Sequence, residues 1–435
     1  MSAPFGNTSA AGNERLQLGD LGPRSFRLGV IVAIAGVGLA ILLGIFALDS
    51  IDRFFRAYVF AFSTILAICL GGLFFTILQH LTRAGWSVTV RRIAEALAWN
   101  LTWIWILFLP ILAAVWMSHI YHWMHPEGDM LLEHKVGYFF FPLHYDSQVP
   151  IFWLVRAVIF FVVWAMLARF FVNNSAAQDE SGDPAITSRM QWWAPLSMFA
   201  FAFTLSFAAF DWIMSLEAHW FSTIFPVYFF AASACGFFAT TIVVIYLLQR
   251  AGRIENEVTL EHYQDLGKLL FAFGVVFWAY IAFSQFMLLW YANIPETTGW
   301  YITRMSGGWA WVSLLLLVGH FGLPFLALLT KHTKRAKPIL ATIAGWLLVM
   351  HAVDMYWLVM PTMPESTLYQ AATLPDFRAE VTNEMLGFTP HLLDVALLIG
   401  LAGLLAAGTV QRLAKCSLIP ERDPRLHEAL AFENM

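Results

Sequence analysis

FFRAYVFAFSTILAICLGGLFFTILQH, residues 54–80, decides how the rest of the chain is read. It holds one arginine, Arg56, a terminal histidine, His80, and no Asp, Glu or Lys. A helix crossing a hydrocarbon core of ~30 Å needs roughly 20 mainly apolar residues at 1.5 Å of rise each. This stretch exceeds that length, and similar ones recur at 28–49, 97–120, 149–172, 193–214, 224–248, 268–292, 307–330, 338–360 and 390–411. No run alternates apolar and polar residues with turn signals every ten positions, so a membrane β-barrel does not fit. The expectation is an all-α integral membrane protein of about ten transmembrane helices. A polar tail (1–27) precedes the transmembrane domain (28–411) and a charged tail (412–435) follows it.

Composition agrees with this. Hydrophobic residues make up 59% of the 435 and charged ones 12%, and the mean hydropathy is +0.67. A soluble domain carries about a quarter charged residues. The net charge of −4 comes with no basic tract, which excludes a nucleic-acid partner. Lys and Arg concentrate in the N-terminal tail, at 83–92, 250–253 and 331–337, and in the C-terminal tail. The opposite loops hold mainly Arg53, Arg56, Lys135, Arg304 and Arg378. This bias places both termini in the cytoplasm with an even number of spans. The first apolar segment is too long for a signal-peptide core and stays as a helix. Cys69, Cys235 and Cys416 are scattered and form no CxxC, CxxCH or cluster-binding run. No haem, iron–sulfur cluster or metal is therefore expected on this chain.

A charge inside hydrocarbon is costly and stands there for a partner or a pathway. His80 closes the second span and Glu95 opens the third, either admitting protons or forming a charge-paired corner with Arg83, Arg91 and Arg92. His119 and His122, three apart, are expected on one helical face, beyond a kink at Pro110. Asp211 lies between Phe210 and Trp212 near the end of the fifth span, either as a proton-transfer carboxyl or paired with an arginine. His320 sits mid-span, one turn before Pro324, and reads as a relay imidazole or an interhelical bond. The sharpest pattern is His351 with Asp354 and His391 with Asp394. Each pair spaces an acid and an imidazole three apart, on consecutive antiparallel helices. Within spans the histidines are three apart or alone, which does not match a haem-binding bundle. The loop at 124–148 mixes apolar and charged residues and suits the outer interface. The loop at 361–389 is acidic, with Glu365, Asp376, Glu380 and Glu384.

Several motifs together resemble a known family: Arg53–Tyr58, Leu78–Thr82 with Gly85–Trp86, Phe210–Trp212 leading to His219–Thr223, Glu261–Tyr263 with Asp265–Leu270, Trp278–Tyr280 through Phe283–Gln285, and Trp290–Pro295. They resemble the ActF-type membrane subunit of alternative complex III, within the NrfD-like, polysulfide-reductase membrane-anchor family. The resemblance covers most of residues 50–400 and is most specific over 205–296. It implies two four-helix bundles with a peripheral helix at each end. It also implies a place in a quinol:electron-acceptor oxidoreductase of a bacterial inner membrane. In that family the iron–sulfur clusters and c-type haems sit on partner subunits, beside a paralogous NrfD-like subunit. Asp211, His219, Gln285 and Tyr291 are the positions the resemblance offers for quinone or quinol, together with Asp265. The function expected is proton transfer and quinone binding without a redox cofactor on this chain. A secondary transporter and a purely architectural anchor are the rival readings.

Overall fold

The structure, a computed structural model, describes residues 15–48, 50–362 and 388–434. The acidic residues Glu365, Asp376, Glu380 and Glu384 lie outside them. Among the described residues there is no strand. Nine helices are long and apolar enough to cross a membrane, and one bent pair makes a tenth. In chain order the spans are α1 (Leu21–Phe46), α2 (Ile51–Leu81), α3 (Val88–Thr102 and Ile104–Met117), α4 (Ile151–Ser181) and α5 (Pro184–Trp212). They continue with α6 (Phe225–Arg250), α7 (Leu260–Ala292), α8 (Gly307–Leu329), α9 (Lys337–Val359) and α10 (Leu392–Leu413). The chain is an all-α, multi-pass membrane protein.

The opening stretch of sequence becomes the centre of the molecule. The most apolar window of α2 is 94% buried, and the helix packs on α3, α5, α6, α9 and α10. Helices α2–α5 form one four-helix bundle and α6–α9 a second. The two meet where α2 and α6 run side by side in the same direction. Gly71 faces Ser233 and Phe237, and Phe75 packs on Phe237 and Phe238. A Cβ on Gly71 would fall 2.5 Å from the Ser233 carbonyl oxygen, so only glycine permits this approach.

The two peripheral helices do not stand apart. α1 and α10 pack on each other through Gly29, Ala33 and Gly36 against Gly400, Gly403 and Ala407. A Cβ on Gly36 would lie 2.6 Å from the Gly400 Cα. Lipid chains are as apolar as leucine, so helices in a bilayer associate through such close backbone approach. Only 22% of the α1 window is buried, leaving its other faces to the surroundings.

Three spans depart from straight α-helix. α3 begins at Val88, nine residues before the expected start, and bends by 53° between Thr102 and Ile104. The expected kink at Pro110 is thus a break at Trp103. Proline offers no N–H to the preceding turn, and residues Ile104–Phe108 absorb the loss by winding into a 3₁₀ turn. α3 ends at Met117, so His119 and His122 do not share a helical face as expected. π-helical turns interrupt α7 at Leu270–Phe277 and α8 at Leu316–Gly322, the latter just before Pro324. Between α3 and α4, a helix at Met130–Phe140 buries Leu132, Val136, Phe139 and Phe140.

Both described ends of the chain meet at one end of the bundles, termed here the terminal end. Leu418 N–H donates to the Leu16 carbonyl at 2.7 Å. The C-terminal residues then cross the bundles, with Asp423 bonded to Arg91 and Asn434 bonded to Glu261.

Gly36→Leu is expected to destabilise the protein by about 1–3 kcal/mol through overpacking. Gly38→Leu, two residues away with nothing within 4 Å of its Cβ position, is the control. Thermal unfolding of both variants in lipid nanodiscs decides the matter, and equal midpoints would contradict the α1–α10 pairing.

Candidate functional site

The second bundle holds a buried polar cluster that includes the sequence-predicted Asp354 and His320. Asp354 on α9 is 0% exposed. Its carboxyl accepts the Tyr228 hydroxyl at 2.6 Å and the Trp278 indole N–H at 3.0 Å. The Trp278 ring stacks on His320, with centroids 3.9 Å apart and planes 6° from parallel. His320 Nε2 donates to the Gly274 carbonyl at 3.0 Å and lies 3.5 Å from Cys235 Sγ. Both partners in the His320–Gly274 bond sit in the π-helical turns of α7 and α8. A π-turn widens the backbone ring and shifts its carbonyls out of α-helical register.

His351 and Asp354, although three apart, turn to different neighbours. His351 Nε2 donates to the Thr64 carbonyl on α2 at 3.2 Å, while Asp354 faces α6 and α7. The Nδ1 atoms of both His320 and His351 are buried without a hydrogen-bond partner among the described residues.

Arginines answer the other predicted acids. Asp211 receives Arg156 Nε at 2.7 Å and a second guanidinium N–H at 3.0 Å, plus the Tyr138 hydroxyl at 2.9 Å. Asp394 receives Arg53 at 2.5 Å, the Tyr356 hydroxyl at 3.0 Å and the His391 backbone N–H at 3.0 Å. His391 Nδ1 accepts the Leu393 N–H in return. The His391–Asp394 pair is therefore a reciprocal N-terminal cap of α10, not two side chains on one helical face. Glu95 joins Arg91 and Arg92, each at 3.1 Å, and these extend to Asp423 and Asp179. That is the charge-paired corner, built from helices of the first bundle and the C-terminal tail. His80 stacks on Phe171 beside it, its Nε2 unpartnered among the described residues. Lys268 and Asp265 pair at 2.7 Å on the surface.

Of the positions the resemblance offered for quinone, Asp211, His219 and Gln285 have separate hydrogen-bond partners. Asp211 is locked to Arg156 in the first bundle. His219 bonds Asp129 in the loops of the end opposite the termini, and Tyr291 is 85% exposed. Gln285 is buried and reaches Ser222 and Tyr301, each at 3.4 Å. Near it, Arg304 donates to the Trp357 and Leu358 carbonyls at 3.1 and 3.0 Å and lies 3.7 Å over the Trp300 ring. Arg56 donates to the next carbonyl, Val359, at 3.3 Å. Two arginines from different bundles thus satisfy the last carbonyls of α9, the electronegative end of that helix. Burial pushes the Arg304 guanidinium down to about 9, opposed by Glu217, so it stays charged at neutral pH. Burial pushes the Glu217 carboxyl up, opposed by Arg304, Arg56 and His219.

A cavity of about 340 Å³ opens at this same end, lined by Asp52, Arg53, Arg56, His119, His122, Trp309 and Tyr356 among others. None of the eight proton-transfer candidates lines it. Among the described residues no cluster of His, Cys, Asp and Glu is arranged to hold a metal.

Sequence reading did not single out Tyr228, Cys235, Arg156 or Arg304 as site residues. A signal existed for Trp278, which falls mid-span while interfacial tryptophans favour span ends. Arg56 and Arg304 were legible only as orientation charges, because their carbonyl partners belong to a distant helix.

Asp211→Leu strands the Arg156 guanidinium and is expected to cost about 3–5 kcal/mol, whereas the double variant with Arg156→Met recovers much of it. Denaturant titration in detergent reads the difference, and an equal or larger loss in the double variant would remove the pairing argument. Arg304→Lys is expected to lower the unfolding midpoint nearly as much as Arg304→Gln, since one ammonium nitrogen does not reproduce a planar fork that reaches three carbonyls and covers the Trp300 ring. Full rescue by lysine would show that charge alone suffices.

Searched against protein-family models and against curated proteins, the sequence matches none.

Proposed function

We propose that this chain is a membrane subunit of a quinol:electron-acceptor oxidoreductase of the alternative complex III type. In this reading its second bundle passes protons, while iron–sulfur clusters and c-type haems reside on partner subunits beside a paralogous membrane subunit. The membrane is the bacterial inner membrane, with both termini cytoplasmic, which puts the cavity and the far ends of α2 and α9 on the outer side.

One observation carries the reading. Among the described residues the buried carboxylates Glu95, Asp211, Asp394 and Asp423 each meet an arginine, and Asp354 does not. An ion-paired acid inside a helix bundle is held in one charge state and fastens helices together. A carboxyl answered only by a phenol and an indole is free of that lock. It can take up a proton without abandoning a neighbouring cation. Through Trp278 it is in contact with His320, an imidazole whose second nitrogen is uncommitted. Quinol oxidation releases two protons for every two electrons, so a membrane subunit with such groups has an evident use.

Quinone binding here has narrower support, in Gln285 with Tyr301 beneath the aromatic group of Trp220, Trp300 and Trp357. The ion pairs at Asp211, Asp394 and Glu95 favour the architectural reading for those residues. Proton transfer through His80, His351 and His391 stays within the proposal.

The test is Asp354→Asn in the assembled complex, reconstituted in vesicles. Proton-to-electron stoichiometry or quinol turnover is expected to fall severalfold, while Asp394→Asn changes assembly yield alone. Unchanged stoichiometry and turnover in Asp354→Asn would end the proton-transfer proposal and leave a scaffold.

A further inference from the structure

We propose that an anionic phospholipid binds along α3 between α4 and α10 at the terminal end, its headgroup phosphate answered by Arg412 and Arg169 on either side of Trp99. The starting observation is a guanidinium without a counterpart. Arg412 stands in the last turn of α10, and its guanidinium carbon lies 4.5 Å from the centre of the Trp99 ring on α3. Its Nε is buried without a hydrogen-bond partner, and among the described residues no carboxylate pairs with it. A guanidinium carries five N–H donors and no acceptor, so only an oxygen from elsewhere completes it.

A second arginine stands at the same level on α4. α3 packs on both α4 and α10. It runs antiparallel to α4: Arg92 donates to Ser175 at 3.2 Å, and the Phe108 and Phe161 rings lie 5.1 Å apart. Between these two contacts Trp99 and Arg169 fall at one depth. Trp99 follows Arg92 by about two turns and so shares the α4-facing side of α3. Arg169 precedes Asp179, which bonds Arg92, by about 2.8 turns, so it points within a quarter-turn of α3. Arg169 is exposed, and among the described residues no hydrogen bond or ion pair reaches its side chain. Glu95 and Asp179, the acids of this corner, are taken by Arg91 and Arg92. Two guanidiniums flanking one indole without a carboxylate leave a place for negative charge.

The surroundings choose the class of anion. From the arginines towards the middle of the bundle the surface turns apolar and stays exposed, with Ile106 and Leu109 on α3 and Met166 and Val162 on α4. A charged head above an apolar strip is the profile of a phospholipid, and a free phosphate would make no use of the strip. The depth agrees, because Arg412 lies one residue before the end of α10, at the level where headgroups begin. Arginine grips phosphate oxygens through paired N–H bonds, and basic pockets between spans take anionic headgroups. None of this rests on the quinol reading above.

The test uses the full chain, delipidated in detergent and mixed with phosphatidylglycerol, phosphatidylcholine or inorganic phosphate, with bound lipid counted by native mass spectrometry. Expected is one retained phosphatidylglycerol, held severalfold better than phosphatidylcholine and not displaced by excess phosphate. Arg412→Leu and Arg169→Leu should each lower that retention severalfold. Lys415→Leu, which removes an exposed cation three residues from Arg412, should leave it unchanged. Equal retention of the two lipids by the unaltered chain, displacement by phosphate, or undiminished retention in either arginine variant would each overturn the inference. So would an equal loss in Lys415→Leu, the mark of a diffuse charge effect. No retained phosphatidylglycerol at all would leave the arginines to an acidic partner chain and likewise end it. The unaltered chain decides between lipid and soluble anion even where a variant fails to fold.

Discussion

In a bilayer core no solvent reaches a polar group, so each one must find its answer on a neighbouring helix. That constraint organises this protein. Arg156 fastens α4 to α5 through Asp211, and Arg53 fastens α2 to α10 through Asp394. Arg56 and Arg304 reach the last carbonyls of α9 from opposite sides. Apolar packing alone tolerates sliding between lipid-embedded helices, because lipid competes on equal terms for every leucine face. The ionic and carbonyl contacts select one register, and the glycine contacts at Gly71, Gly36 and Gly400 set the spacing.

Against those fastened acids, the polar cluster of the second bundle is built differently. Its members are a carboxyl, a phenol, an indole, two imidazoles and a thiol, and among the described residues no arginine or lysine bonds or ion-pairs with them. The two helices that supply Trp278 and His320 are, among the described residues, the two that carry π-turns. π-turns recur at functional sites because they aim a side chain or carbonyl where α-helical register would not. Here they bring Gly274 and His320 face to face across α7 and α8.

Legibility in the sequence followed the range of the interaction. Segment length and apolarity are local, and they located ten spans, although α1, α3, α5 and α7 begin seven to nine residues before the expected starts and α4 runs nine residues past its expected end. The break at Trp103 escaped because proline marks where α-helix fails, while the bend falls where neighbouring packing accepts it. The i, i+3 spacing of His351 and Asp354 correctly implies one helix. It is silent on whether the two side chains meet, because adjacent helices compete for each. Asp211 reads the same as Asp354 in sequence, a carboxylate near an aromatic in an apolar run. What separates them is Arg156, 55 residues upstream, against Tyr228 and Trp278 on two other helices. That distinction is tertiary and has no local signature.

The manner in which the C-terminal tail closes the terminal end also bears on biogenesis. Arg91 sits in the interior with Glu95 and Asp423, although 331 residues of chain separate it from the latter. Helices enter the bilayer in order of synthesis, so the first bundle is inserted long before Asp423 leaves the ribosome. Until then Arg91 and Arg92 have Glu95 and Asp179 as counterparts, and Asp423 later gives Arg91 a second carboxylate. The α3 corner thus acquires its final ionic contact only after α10 has been made, and that contact ties the C-terminal tail to the first bundle.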